Sequence, residues 1–240
     1  MNQCRSMIVF LFISLFSIQS FAALNIAVAS NFKVSAQNIA KKFTHESGIE
    51  INISSASTTT LYQQILRGAP FDLFLAADKK HIELLVEKDK VGSQKEFAYA
   101  TGRLVFWKPN SDVVPTQQDF MQYNDRLAIA NPKFAPYGIA AKQALEFIKK
   151  WQSQTYVKGN NINQTYQFVD SKNVQAGLVS YASMIQKKRT HFVIIPQDWH
   201  QPIQQSGIIL RGKNTQQAIL FRQFLLSKEI QNYIKSQGYN

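Results

Sequence analysis

The chain has 240 residues, 45% of them hydrophobic, and 27 basic against 15 acidic side chains give it a formal charge of +12. That apolar share supports one large core or two small ones and excludes a largely disordered chain. The positive balance favours anionic partners. The basic residues nevertheless fall in small groups (Lys41-Lys42, Lys149-Lys150, Lys187 to Arg189) without zinc spacing or interleaved aromatics, so a basic nucleic-acid-binding module is only an alternative.

In chain order, Met1 to Ala22 comes first. Arg5 is its only charge, Met7 to Phe16 is mostly apolar, and Ser20-Phe21-Ala22 offers small residues where a signal peptidase reads. This predicts a cleaved secretory signal over residues 1–22. Ser14, Ser17, Gln19 and Ser20 interrupt the apolar run short of the roughly 20 residues that a membrane span needs. Cys4, the single cysteine, lies before that run, so the expected mature chain has no disulfide, and losing Arg5 leaves it 26 basic against 15 acidic residues, +11.

From Leu24 onward strand-like and helix-like segments alternate. Leu24 to Ala29 is a short apolar strand, and the helix after it places Phe32, Ala36, Ile39, Ala40 and Phe43 on one face before Gly48 stops it. Ile49 to Ser54 reads as a second strand. Ser57-Thr58-Thr59-Thr60 then leads into a helix over Leu61 to Leu66, closed by Gly68. Asp72 to Ala77 reads as a buried third strand, followed by Asp78 as a cap and a helix carrying Ile82, Leu85 and Val86. Strands separated by helices imply an α/β fold with a mostly parallel sheet.

Phe97 to Trp107 is long for one strand and has Gly102 in its middle, which places there the crossing into a second domain. Leu127 to Ala130 is a strand, Asn131 to Tyr137 a loop bracketed by Pro132 and Pro136, and Gly138 to Trp151 a helix burying Ala140, Ala144, Phe147, Ile148 and Trp151. A helix over Ile162 to Asp170 follows Gly159-Asn160-Asn161, and a strand over Ala176 to Tyr181 comes next. Strands at Phe192 to Ile195 and Gly207 to Leu210 carry the chain back, and helices over Thr215 to Leu226 and Ile230 to Lys235 pack on the first domain. The expected division is a discontinuous domain of residues 23–102 with 207–240, and a second of residues 103–206.

Enzyme chemistry has no visible carrier. His45, His81, His191 and His200 lack metal-ligand spacing, no G-x-S-x-G, P-loop or dinucleotide fingerprint occurs, and no nucleophile–base pair is apparent for a hydrolase. What remains is a set of neutral donors at helix starts: the hydroxyls of Ser30 and Thr58, the amide of Asn31, and the backbone N–H groups of Tyr137 and Ile162. First-turn N–H groups have no intrahelical partner and carry the positive end of the helix dipole. Four such starts converging on a cleft would hold an oxyanion with dipoles instead of full charges. Each residue also has a plainer reading: Ser30, Asn31 and Thr58 as caps, Tyr137 as an aromatic lid on the local core, and Ile162 as a core side chain. Asp72 and Asp78, at a strand start and a helix cap, are expected to be structural.

Three stretches carry a family resemblance: Ala27-Val28-Ala29-Ser30-Asn31-Phe32, Gly68-Ala69-Pro70-Phe71-Asp72-Leu73-Phe74-Leu75-Ala76-Ala77-Asp78, and Thr101-Gly102-Arg103-Leu104-Val105-Phe106-Trp107. Together, with lesser support from Tyr166 to Val169 and Ala176 to Val179, they resemble the periplasmic molybdate-binding proteins of ABC transporters over nearly the whole mature chain. The resemblance implies a two-domain clamp, each domain a mostly parallel sheet flanked by helices. It implies a monomer without cofactor that closes on molybdate or tungstate and delivers it to an inner-membrane permease. The family's anion-contacting positions fall on Ser30, Asn31, Thr58, Tyr137 and Ile162. Family members often have Ser where this chain has Thr58, so the added methyl alters the pocket. Some members bring a Tyr hydroxyl to the position matching Ser180, which makes Ser180 a further candidate; strand alternation turns the adjacent Tyr181 to the other side. A binder of sulfate or another small oxyanion is the alternative within the same fold.

Overall fold

The computed structural model describes residues 23–240. The leader expected over residues 1–22 lies outside the described residues. The first half of the chain runs β1 (Leu24–Ala29), a 3-10 turn (Ser30–Phe32), α1 (Lys33–Ser47), β2 (Ile51–Ala56), α2 (Thr58–Leu66), β3 (Leu73–Ala76), α3 (Lys80–Glu87) and β4 (Phe97–Gly102). It continues with β5 (Leu104–Trp107), α4 (Gln117–Gln122), β6 (Leu127–Ala130), α5 (Pro136–Phe147), β7 (Tyr156–Gly159), α6 (Ile162–Asp170), β8 (Ala176–Ser180) and α7 (Tyr181–Gln186). Then come β9 (Phe192–Ile194), a 3-10 turn (Gln197–Trp199), β10 (Ile203–Ile209), α8 (Thr215–Leu225) and α9 (Lys228–Ser236).

Two five-stranded sheets result, ordered β2-β1-β3-β10-β4 and β7-β6-β8-β5-β9. In the first, β1 pairs in parallel with β2 and β3, while β10 runs antiparallel to β3 and β4. In the second, β6 pairs in parallel with β7 and β8, while β5 runs antiparallel to β8 and β9. The reversed strand of each sheet is the one entered just after the chain crosses from the other sheet.

Both sheets are covered on both faces, as the near-continuous apolar strands require. In β1, Ile26 and Val28 face Phe32, Ile39 and Phe43, while Ala27 faces the other way, toward Leu61, Ile65 and Phe74. In the second sheet Leu104, Phe106, Leu127 and Ile129 pack with α5, whereas Val105, Trp107 and Val179 pack with Tyr166 and Val169 of α6.

The long apolar run breaks at Arg103 into β4 and β5, which belong to different sheets, so the chain crosses where the sequence places the crossing. Several other expectations are corrected. The helix expected from Gly138 begins at Pro136, whose fixed φ and missing N–H suit the first helical position, and ends at Phe147. Phe147 is 56% exposed, so it is not a core side chain; its ring stacks on Trp199 with centroids 5.2 Å apart. The strand expected to reach Tyr181 stops at Ser180, where α7 begins. The returning strand starts at Ile203, not Gly207, because Gln205 and Ser206 are polar yet buried in the sheet. Helices α4 and α7 and strand β7 were not anticipated.

Candidate functional site

The carboxyl ends of the parallel strands of the two sheets face one another. Between them lies a small cavity lined by Ala29, Ser30, Asn31, Ser57, Thr58, Ala77, Ala135, Pro136, Tyr137 and Ile162. All five residues singled out from sequence therefore meet at one place, and each is buried, at 1–7% exposure.

Local geometry distinguishes donors from caps. Ser30 and Asn31 lie in the 3-10 turn after β1, where the cap residue is Ala29 and no side chain bonds the first turn, so the capping reading fails for both. At the second junction the cap is Ser57, whose Oγ accepts from Thr60 N; Thr58 is the first helical residue. Thr58 Oγ1 accepts from Ala77 N at 3.1 Å, which commits one lone pair and leaves the hydroxyl proton to donate.

At the third junction Ala135 offers no side-chain cap and Pro136 has no N–H, so Tyr137 presents the first backbone donor of α5. At the fourth, Asn161 Oδ1 accepts from Gln164 N at 3.0 Å and leaves the Ile162 N–H of the first turn to the cavity. Three helix N-termini and the 3-10 turn thus converge with their positive dipole ends. Among the described residues, none of those lining the cavity is charged.

The carboxylates nearest in sequence are occupied elsewhere. Asp78 accepts from His81 N at 3.0 Å and meets His81 Nδ1 at 2.8 Å, and Asp72 Oδ2 accepts from Asn25 N and Asn214 Nδ2 at 2.8 and 3.1 Å. Both are structural, as expected. His81 Nε2 also lies 3.0 Å from Thr59 Oγ1, an arrangement of hydroxyl, imidazole and carboxylate that sequence spacing did not reveal. These three groups are outside the lining of the cavity.

Ser180 does not reach the cavity. It is fully buried and caps α7, accepting from Ser183 N at 3.3 Å with its Oγ 2.6 Å from Ser183 Oγ. Tyr181 is turned away by the start of that helix, not by strand alternation, and its ring lies 4.6 Å from the Arg103 guanidinium. The Tyr137 side chain belongs to the second core, and burial pushes its phenol well above the usual range.

Sequence reasoning missed the residues that join the two halves across the cavity. Asn163 Nδ2 donates to Ser30 O at 2.8 Å, Thr59 N to Phe134 O at 3.2 Å, and Gln186 Nε2 to Ser35 Oγ at 3.0 Å. Behind Asn31, Gln205 accepts from its amide at 2.9 Å and the Tyr239 hydroxyl donates to its carbonyl at 2.8 Å. Polar residues on helices and strands carry no local signal for such contacts.

Known proteins resemble this chain in sequence and fold. The family model described as bacterial extracellular solute-binding protein matches residues 24–240. The molybdate-binding protein ModA of Rhodobacter capsulatus is 32% identical over 217 residues, covering 89% of this chain and 86% of that protein. Its counterpart in Azotobacter vinelandii is 33% identical, with 91% and 90% covered. The solved Azotobacter vinelandii periplasmic molybdate-binding protein superposes with a TM-score of 0.85 at 28% identity, covering 90% of this chain and 98% of that one. A sulfate-binding protein, SubI from Mycobacterium tuberculosis, superposes at 0.75 with 11% identity and shares the fold alone. Because the family match takes in both sheets and every junction that lines the cavity, the chain belongs to the bacterial extracellular solute-binding proteins.

Proposed function

We propose that this protein captures molybdate or tungstate between its two lobes and delivers the ion to an ABC permease of the inner membrane. It works in the periplasm as a monomer, without a cofactor, and is not an enzyme. One lobe is built on the sheet containing β1 to β4 and β10, the other on the sheet containing β5 to β9. Ser30, Asn31, Thr58, Tyr137 and Ile162 are the ion's partners, the last two through main-chain N–H groups. Ser180 is left out of this set because it caps α7.

The observation that carries this reading is a small cavity lined by donors at converging helix starts, with no charged side chain in its lining. Molybdate and tungstate are fully deprotonated near neutral pH, so every oxygen accepts. Phosphate keeps a proton near neutral pH, and the lining offers no carboxylate to accept it, only hydroxyls. Sulfate matches in protonation and differs in size. Relatives named for molybdate at 32% and 33% identity favour the larger ion.

Thermal melting of residues 23–240 with each of the four anions tests the proposal. At a hundred times Kd a ligand adds about 2.7 kcal/mol, which for a chain of this size raises Tm by about 5–11 °C. Molybdate and tungstate should give that shift and phosphate none, with Ser30→Ala shrinking it. An equal shift with sulfate would transfer the site to the smaller ion. No shift with any anion would overturn the oxyanion reading, and a salt-sensitive DNA gel shift would then favour the nucleic-acid alternative.

A further inference from the structure

Gln205 is fully buried in β10, a sheet position where an amide is costly unless bonded. The pairing of β10 with β4 explains how it is accommodated. The register steps from Gln205 opposite Ala100 to Ser206 opposite Ala98, so Tyr99 is the extra residue of a bulge. Bulges re-aim side chains, and this one brings the Tyr99 hydroxyl within 3.1 Å of Gln205 Oε1, with the Ala76 carbonyl at 3.0 Å as its second acceptor. The same Gln205 oxygen accepts from Asn31 Nδ2 at 2.9 Å. The nitrogen end of the Gln205 amide, without a protein partner, abuts Gly102, where a Cβ would stand 3.2 Å away.

Asn31 is a two-faced group at the edge of the cavity. Its amide nitrogen would bind an oxyanion, and its amide oxygen would repel one. Holding one N–H of that nitrogen keeps the carbonyl from exchanging places with it, and the second N–H is left to the neighbouring Tyr137 and Tyr239 hydroxyls or to an ion in the cavity. We infer that Gln205 is a positioning residue that fixes Asn31 donor-side toward the anion. The inference rests on the anion reading above.

Gln205→Glu and Gln205→Met separate positioning from mere packing. The Glu carboxylate still accepts from Asn31 but sets a negative charge behind it, so affinity for the dianion should fall at least about tenfold near pH 9 and recover as the side chain, raised above the ordinary carboxylate range by burial, is protonated toward about pH 5.5. The neutral Met variant, lacking an acceptor, should lose affinity by about tenfold at both pH values. Measuring the molybdate-induced rise in Tm against each variant's own ligand-free Tm removes any plain loss of stability. A Glu loss that does not vary with pH, or Met binding within about twofold of the unmodified protein, overturns the inference, and the Met result decides alone if the Glu variant does not fold. Absence of a shift in the unmodified protein would instead overturn the anion reading itself.

Discussion

Tyr137 divides its work between main chain and side chain. Its N–H opens α5 at the cavity, while its hydroxyl, fully buried and without a partner, sits against Gly102, where a Cβ would stand only 2.2 Å away. Removing an unpaired buried hydroxyl is neutral or stabilising by about 1–3 kcal/mol. Tyr137→Phe should therefore keep or raise Tm and leave molybdate affinity, followed by titration calorimetry, within about twofold. A large loss of affinity would show that the hydroxyl acts on the site, directly or through the Asn31 amide beside it. The cavity residues were legible in the sequence because each sits at a strand-to-helix junction, where local composition reveals unpaired donors. Gln205 was not legible, because its neighbour Asn31 is 174 residues away in the chain and only the folded sheet joins them.

Helix α6 delivers two adjacent residues with different tasks. Ile162 brings a first-turn N–H to the cavity, and Asn163, the next residue, spans to the Ser30 carbonyl of the other lobe. Asn163→Ala removes one cross-lobe hydrogen bond worth about 0.5–1.5 kcal/mol. Release of molybdate in stopped flow should quicken by about two- to tenfold, with the ligand-free Tm lowered by no more than about 1–6 °C. An unchanged release rate would mean that the lobes hold together without it. The strongly patterned helices α1, α2 and α6 and the apolar strands were readable, while three short elements were not. In β7 the four residues Tyr-Val-Lys-Gly are only partly buried along an edge, α4 is a single capped turn and a half, and α7 is hidden because Ser180 both ends a strand and caps a helix.

The molecule as a whole carries its tyrosines in a way that sets its alkaline limit. Burial pushes Tyr99, Tyr137 and Tyr239 above the ordinary phenol range, and lifts Tyr123 and Tyr156 to about 12. The unfolded chain releases these protons near pH 10 and the folded one later, so the folded state holds more protons in between. Stability should be full below about pH 10 and fall as pH rises to about 12, with the last part of the tyrosinate absorbance appearing together with unfolding. Ionisation of all nine tyrosines near pH 10 in a protein that stays folded would contradict the burial. The division into two sheets was legible from Gly102 inside a long apolar run, whereas the return at Ile203 was masked by Gln204, Gln205 and Ser206, whose polarity reads as a loop until the sheet encloses them. One of the links across the cavity, from Thr59 N–H to the Phe134 carbonyl, is made wholly by backbone. Side-chain drift therefore leaves that link intact among descendants of this sequence. Proline is the one residue type that deletes it, and at the second position of α2 the helix itself tolerates proline, so a single codon decides whether this tie between the lobes exists.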